Sequence, residues 1–425
     1  MRAWIAIVMF SLVSVPILIL TLLLPPESLT FAAGPKGGAY AQVAERYKSI
    51  LARDGIVVEV TATNGSVDNA SALERGSVDV ALLQGGIDIS ENAVEAIASV
   101  FYEPMFFLVR ANNSIPKNPA LWRGLTITSG TLGSGTRAVF DDFQIAVGLE
   151  PSKNQHVYLP YSKALDALMS GSVDMAVFVT TVDAPYLSQA YSSQEISFLP
   201  IDFAETISRR LEYATVVTLP KGSVSLFPVV PPEPQRMLAL ESRLVINPNL
   251  HPALINRLTM AAKELHSARD IITGPNTFPT VVGTAINVNT VSQQLIQKGP
   301  STWHQWLPYW MAAQVNRLLL LTLPVLLLLV PMLRLFPSMY AYFMGWRVWQ
   351  HYPKIRQIED ELRHKQDAIS LSEMDSHLID MDTRIASLNL PAAYRQAAYQ
   401  ARMHIDLVRK RIHDKNTGET SENAR

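Results

Sequence analysis

Two long apolar runs frame this 425-residue chain, and a series of short ones alternates with polar stretches between them. The first, Ala3 to Leu24, carries no charge and ends at Pro25 and Pro26. A bilayer core takes roughly 20 apolar residues as helix, so residues 1–26 predict an uncleaved signal anchor. A cleaved signal peptide, the alternative, has a shorter apolar core of about 7–15 residues and a small-x-small site; "PPESLTFAAG" supplies a poor one. The second run, Leu318 to Leu333, lies between Arg317 and Arg334. Both arginines can snorkel outward, and residues 315–336 predict a transmembrane helix. Trp303, Trp306, Tyr309 and Trp310 precede it, and Tyr340, Tyr342, Trp346 and Trp349 follow. Paired aromatic belts suit two membrane–water interfaces. The alternative is a buried core helix, although Pro324 and Pro331 suit a soluble helix interior poorly.

Between these runs the periodicity predicts an α/β domain. Short apolar strands ("LTFAAG", "IVVEVTAT", "VDVALLQ") alternate with amphipathic helices, and the pattern restarts with "GLTITSG", "QHVYLPY" and "VDMAVFVTT". The helix after "TNG" is expected to be capped by Ser66. One sentence is written twice: "ALERGSVDVALL" from Ala72 and "ALMSGSVDMAVF" from Ala167, an offset of 95 that also separates Asp79 from Asp174. This predicts one βαβαβ plan used for two lobes, shared turn chemistry being the alternative. Parallel α/β sheets bind ligands beyond the carboxyl ends of their strands, where helix N-termini suit anions. Two glycine-rich turns stand at such places, "GPKGGAY" (34–40) and "GTLGSGTR" (130–137). Neither has the spacing of a phosphate-binding P-loop or a dinucleotide fingerprint.

Composition then removes several functions. The chain holds 48% hydrophobic residues, and its mean hydropathy of +0.13 agrees with membrane segments. A net charge of −1 gives no basis for nucleic-acid binding. There is no cysteine, so disulfides, thiolate metal sites and cysteine nucleophiles are excluded. "GSGT" lacks the spacing of a serine nucleophile elbow, so an enzyme is not expected, nor any metal or cofactor. Arg334, Arg347, Lys354 and Arg356 predict a cytoplasmic tail, which places residues from about 27 to 312 outside. The tail, 337–425, is polar and periodic, and Pro391 divides it, which predicts a helical hairpin or short coiled coil.

"GPKGGAY", "TNGSVDN", "ALERGSVDVALLQ", "YEPMFFLVR" and "LGSGTRAVFDDF", in that order, resemble the TAXI family of extracytoplasmic solute receptors, which are associated with TRAP transporters. The likeness runs from about Leu29 to about Arg269. It implies a two-lobed periplasmic-binding-protein fold, type II-like, closing on a small organic anion such as a carboxylate or amino acid. It also implies a bacterial inner-membrane setting with TRAP-type membrane subunits or another membrane partner. By that resemblance lobe 1 is 27–110 with 236–270, lobe 2 is 111–235, and 271–314 is an irregular connector. "FYEPMFFLVR" is the first hinge strand. Ligand roles carry over to Gly38, Ala39, Tyr40, Ser66, Gln84, Ser134, Gly135, Thr136 and Arg137, and to Thr180 in "VTTVDAP". Ala39 stands where the family often has threonine, and "VTTVDAP" replaces a stretch that is usually glycine-rich. Each polar residue has capping or turn duty as its alternative, and Arg137 can pair with Asp141 at i+4. A non-binding membrane scaffold on a relic binding-protein fold is the other reading of the whole chain.

Overall fold

The computed structural model describes residues 24–422 apart from Glu91, Ser301 and 365–367. It divides into two compact units, up to Asn316 and from Arg317. In the first unit the chain runs β1 (Ser28–Ala32), α1 (Ala39–Leu51), β2 (Val57–Thr61), α2 (Ser66–Glu74), β3 (Val80–Gln84) and the long β4 (Glu95–Arg110). A second lobe follows with β5 (Thr126–Thr128), α3 (Gly135–Val147), β6 (Gln155–Val157), α4 (Tyr161–Met169) and β7 (Met175–Val179). It continues with α5 (Leu187–Ser192), β8 (Ile196–Phe198), α6 (Ala204–Ser208), β9 (Ala214–Leu219) and a small hairpin of β10 (Ser225–Leu226) and β11 (Val229–Val230). The long β12 (Gln235–Ile246) returns to the first lobe, followed by α7 (Pro252–His266) and α8 (Thr290–Lys298).

The sheet is mixed, in the order β2-β1-β3-β12-β4-β7-β5-β6, with β8 also on β4 and β9 on β12. In each lobe two parallel neighbours flank the first strand, and the third strand meets a long strand antiparallel: β3 against β12, β7 against β4. The two long strands belong to both lobes. Residues 95–104 of β4 pair with β12, whereas Met105–Val109 pair with β7. Residues 235–240 of β12 pair with β9, while 239–246 pair with β4. This is the two-lobed, periplasmic-binding-protein-like arrangement. β3 and β7 are buried throughout, which is why both read as unbroken apolar runs rather than alternating ones.

The repeated sequence has a physical role. In each copy a left-handed glycine, Gly76 (φ 65) or Gly171 (φ 76), turns the helix end into the strand. Asp79 and Asp174 then reach back to the first strand of their own lobe. Asp79 accepts from Thr30 N and Oγ1, both at 2.8 Å, and Asp174 accepts from Thr126 N at 2.9 Å. Their backbone N–H groups donate to Thr30 O and Thr126 O at 3.1 and 2.8 Å. Each aspartate thus fixes the offset between first and third strands.

Three expectations change. Ser66 is the first residue of α2 and Gly65 holds the cap position; the Ser66 hydroxyl instead accepts from Gln84 N at 3.1 Å. The stretch after 270 is not wholly irregular. It contains α8, capped by Asn289 and joined to α7 through a Thr259–Ser292 hydroxyl contact of 2.9 Å. The tail has more pieces than a hairpin. After α9 (Tyr309–Trp349) come α10 (Tyr352–His364), α11 (Ala368–Ala386) and α12 (Arg395–Glu422). These share one apolar core that includes Ile355, Leu362, Leu378, Ile385, Ile405 and Val408.

Among the described residues no helix is long and apolar enough to cross a membrane. The first expected span lies outside the described residues, and the second falls within α9, where the side chains of 313–326 lie outside them too. Both spans therefore rest on the sequence.

Replacing Asp79 or Asp174 by alanine removes a carboxylate acceptor from backbone N–H groups and is expected to lower stability by about 1–2 kcal/mol each. Urea titrations followed by circular dichroism check this; an unchanged midpoint in both variants contradicts the strand-fixing role.

Candidate functional site

A small cavity of about 30 Å³ lies where the two lobes meet. The first lobe supplies the start of α1 (Gly38, Ala39, Tyr40), Gly34 and Pro35 before it, Gly65 and Ser66 at the start of α2, and Gln84 at the end of β3. Gly135 opens α3, Tyr161 opens α4, Val179 ends β7, and Thr180 and Tyr186 follow it. Glu103 comes from β4 itself, at the last position before Pro104 and the change of ladder. Strand ends and helix starts converge because successive βα turns of a parallel sheet all emerge at one edge.

The lobes touch through glycines. A Cβ on Gly65 would stand 2.9 Å from the Ser134 Cα and 3.3 Å from Gly133 O, and its φ of 139° disfavours any side chain. A Cβ on Gly135 would stand 1.9 Å from Gln84 Oε1. Backbone meets backbone here, which only glycine permits.

One hydrogen-bonded group occupies the centre. Tyr40 Oη donates to Glu103 Oε2 at 2.6 Å, and Ser242 Oγ donates to Tyr40 Oη at 3.1 Å. Gln84 Nε2 donates to Glu103 Oε1 at 3.2 Å and, across the cleft, to Val179 O at 2.8 Å. Positions 84 and 179 are 95 apart, the offset of the sequence repeat. Gln84 Oε1 is buried without a partner. Glu103 is 1% exposed. Burial pushes its carboxyl up from the ordinary 4.5 to about 8, against the opposing bonds from Tyr40 and Gln84. Burial first, and then the neighbouring Glu103, raises the Tyr40 phenol. Tyr161 and Tyr186 are likewise raised by burial and stack at 5.2 Å with an 8° tilt.

Of the ten residues singled out from sequence, Gly38, Ala39, Tyr40, Ser66, Gln84, Gly135 and Thr180 line the cavity; Ser134, Thr136 and Arg137 do not. Ser134 Oγ caps its own helix by accepting from Arg137 N at 3.3 Å. Thr136 Oγ1 accepts from Val179 N at 3.2 Å and from Tyr161 Oη at 3.1 Å, which ties α3 to β7 and α4. The Arg137 guanidinium lies 3.8 Å over the Tyr158 ring and 3.7 Å from Asp141. Among the described lining residues there is consequently no basic side chain, and one acid. Sequence reading passed over Glu103, although a lone carboxylate between Glu95 and Arg110 in a strand of otherwise uncharged residues is a visible signal. Tyr161 and Tyr186 carried no comparable mark. Among the described residues no group of three His, Cys, Asp or Glu side chains could hold a metal ion.

Residues 31–226, a little under half of the chain, match the NMT1-like family. No curated protein matches the chain. Solved structures similar to it include the periplasmic aliphatic sulphonate binding protein SsuA from Escherichia coli, at 16% identity and a TM-score of 0.35, covering 56% of this chain and 68% of that one. A putative L-cystine ABC transporter from Listeria monocytogenes matches at 11% identity and a TM-score of 0.38, covering 56% and 90%. The ligand-binding component of an ABC-type import system from Staphylococcus aureus matches at 11% and 0.39, covering 67% and 94%. At these values the likenesses add nothing to the strand order already described.

Glu103 binds its proton more tightly in the folded state than in the unfolded chain. The native protein therefore holds the extra proton between about pH 4.5 and about 8, and stability falls as pH rises through that window. Glu103→Gln should flatten this part of the profile, as urea titrations at pH 5, 6, 7 and 8.5 will show; an equal slope in the variant contradicts the assignment.

Proposed function

We propose that this chain is a membrane-anchored solute receptor that closes its two lobes around a small organic molecule of the carboxylate or amino-acid class. The observation that supports this most directly is the polar cavity at the lobe junction. It is lined by both lobes and by β4, one of the two strands they share, so occupancy and lobe closure act on the same residues. The cavity offers neither a nucleophile-and-base pair nor a metal cluster among its described residues, and the protein is read as a receptor rather than an enzyme. The runs 3–24 and 318–333 hold it in a bacterial inner membrane, with the lobes outside and the helical tail in the cytoplasm. The tail and anchors suit work beside a membrane partner, a TRAP-type transporter subunit or a sensing protein.

A thermal-shift screen of the full chain in detergent, against small carboxylates and amino acids, tests the binding. A ligand at a thousand times its Kd adds about 4 kcal/mol, a shift of several degrees. Gly65→Ala pushes a methyl group against the opposite lobe and is expected to diminish that shift at equal dose. Absence of any shift in a folded sample favours the relic scaffold.

Topology has its own check. A reporter fused after Arg425 should be active only in the form that matures in the cytoplasm; activity confined to the outside overturns the orientation.

A further inference from the structure

The inference rests on the receptor reading above and narrows its ligand. Gln84 is held in one orientation, because Nε2 faces two acceptors, Val179 O and Glu103 Oε1. An amide flip would set oxygen against the Val179 carbonyl oxygen, so Oε1 keeps its place. That oxygen is buried and has no donor in the protein. Once ionised, Glu103 has one donor on each oxygen, from Tyr40 or from Gln84, and capacity for another. With Glu103 ionised the site is therefore short of hydrogen-bond donors.

Charge points the same way. The groups facing Glu103 are the phenols of Tyr40, Tyr161 and Tyr186, all raised and neutral at physiological pH. Behind them on β12 stand Glu241 and Arg243, whose guanidinium is taken up by Gln84 O at 2.8 Å and Thr284 O at 3.1 Å. No lining cation offsets an ionised Glu103. We propose that the solute carries a protonated amine that seats against Glu103 and Gln84 Oε1, so that the receptor selects amino acids and small amines over simple carboxylic acids. A group with several N–H donors and a positive charge satisfies both oxygens at once. With neutral partners Glu103 keeps its proton at pH 7, near its value of about 8. An ammonium beside it favours the carboxylate, so binding expels that proton.

Calorimetry of the full chain in detergent at pH 7 tests this, with glycine, L-alanine, γ-aminobutyrate and ethanolamine against acetate, pyruvate and succinate. Each is run in phosphate and in MOPS, neither of which carries a primary amine, so that the difference in heat counts protons. The expected result is binding by members of the amine set, release of close to one proton, and affinity that rises with pH from 6 toward 8. Glu103→Gln should weaken amine binding at least about thirtyfold and abolish the release. Should that variant fail to fold, proton release and pH dependence in the unaltered chain decide. Binding by nitrogen-free acids alone overturns the inference and leaves the receptor standing. Amine binding without proton release, or unchanged in a folded Glu103→Gln, removes Glu103 as the seat. Silence across both sets overturns the inference and the receptor reading together.

Discussion

Both lobes hang from the same two strands, and that sharing determines much else in the first unit. β4 and β12 must each satisfy one ladder for part of their length and a different one for the rest. The change of ladder in β4 falls at Glu103 and Pro104, with Pro104 lacking an N–H and its carbonyl accepting from Thr180 N at 3.3 Å. A strand that changes partners presents a side chain to both lobes at one point. Here that side chain is a carboxyl group in an otherwise apolar run. Burying it is unfavourable unless hydrogen bonds compensate, and Tyr40 from α1 and Gln84 from β3 are placed to supply them.

The glycines extend the same logic to the facing surfaces. Gly65 on one lobe meets the backbone of Gly133, Ser134 and Gly135 on the other. Contact this close helps to bury Glu103, and burial is what raises its carboxyl. Tyr40, Glu103, Gln84 and Ser242 form one connected group, so geometry and protonation there are aspects of a single arrangement.

The sequence made the α/β class legible, because strands buried on both faces leave unbroken apolar runs and left-handed turns leave glycines. Asp79 and Asp174 were legible as repeats, though their reach to Thr30 and Thr126 was not, since long-range pairing leaves no local mark. The site was only partly legible. Ser134, Thr136 and Arg137 carry ligand-like chemistry, but each has a nearer partner: its own helix end, the β7 backbone, and Tyr158 with Asp141. Glu103 was legible as the lone carboxylate inside an uncharged strand, but a strand read as a hinge draws attention to its backbone. The helix at Thr290–Lys298 had Asn289 before it and Gly299 after it as signals, yet the surrounding residues are irregular enough to mask nine residues of order.

The contact between Gln84 and Val179 reaches beyond chemistry. Residues one repeat apart touch at the centre of a strand order that reads alike from either edge, β2-β1-β3-β12 from one and β6-β5-β7-β4 from the other. The likeness stops at the side chains. Gln84 in one half reaches the backbone carbonyl of Val179 in the other, and valine has no polar side chain to answer the Gln84 oxygen, which is left without a partner. The pair 84 and 179 is therefore where the two halves, alike in strand order, become chemically unequal.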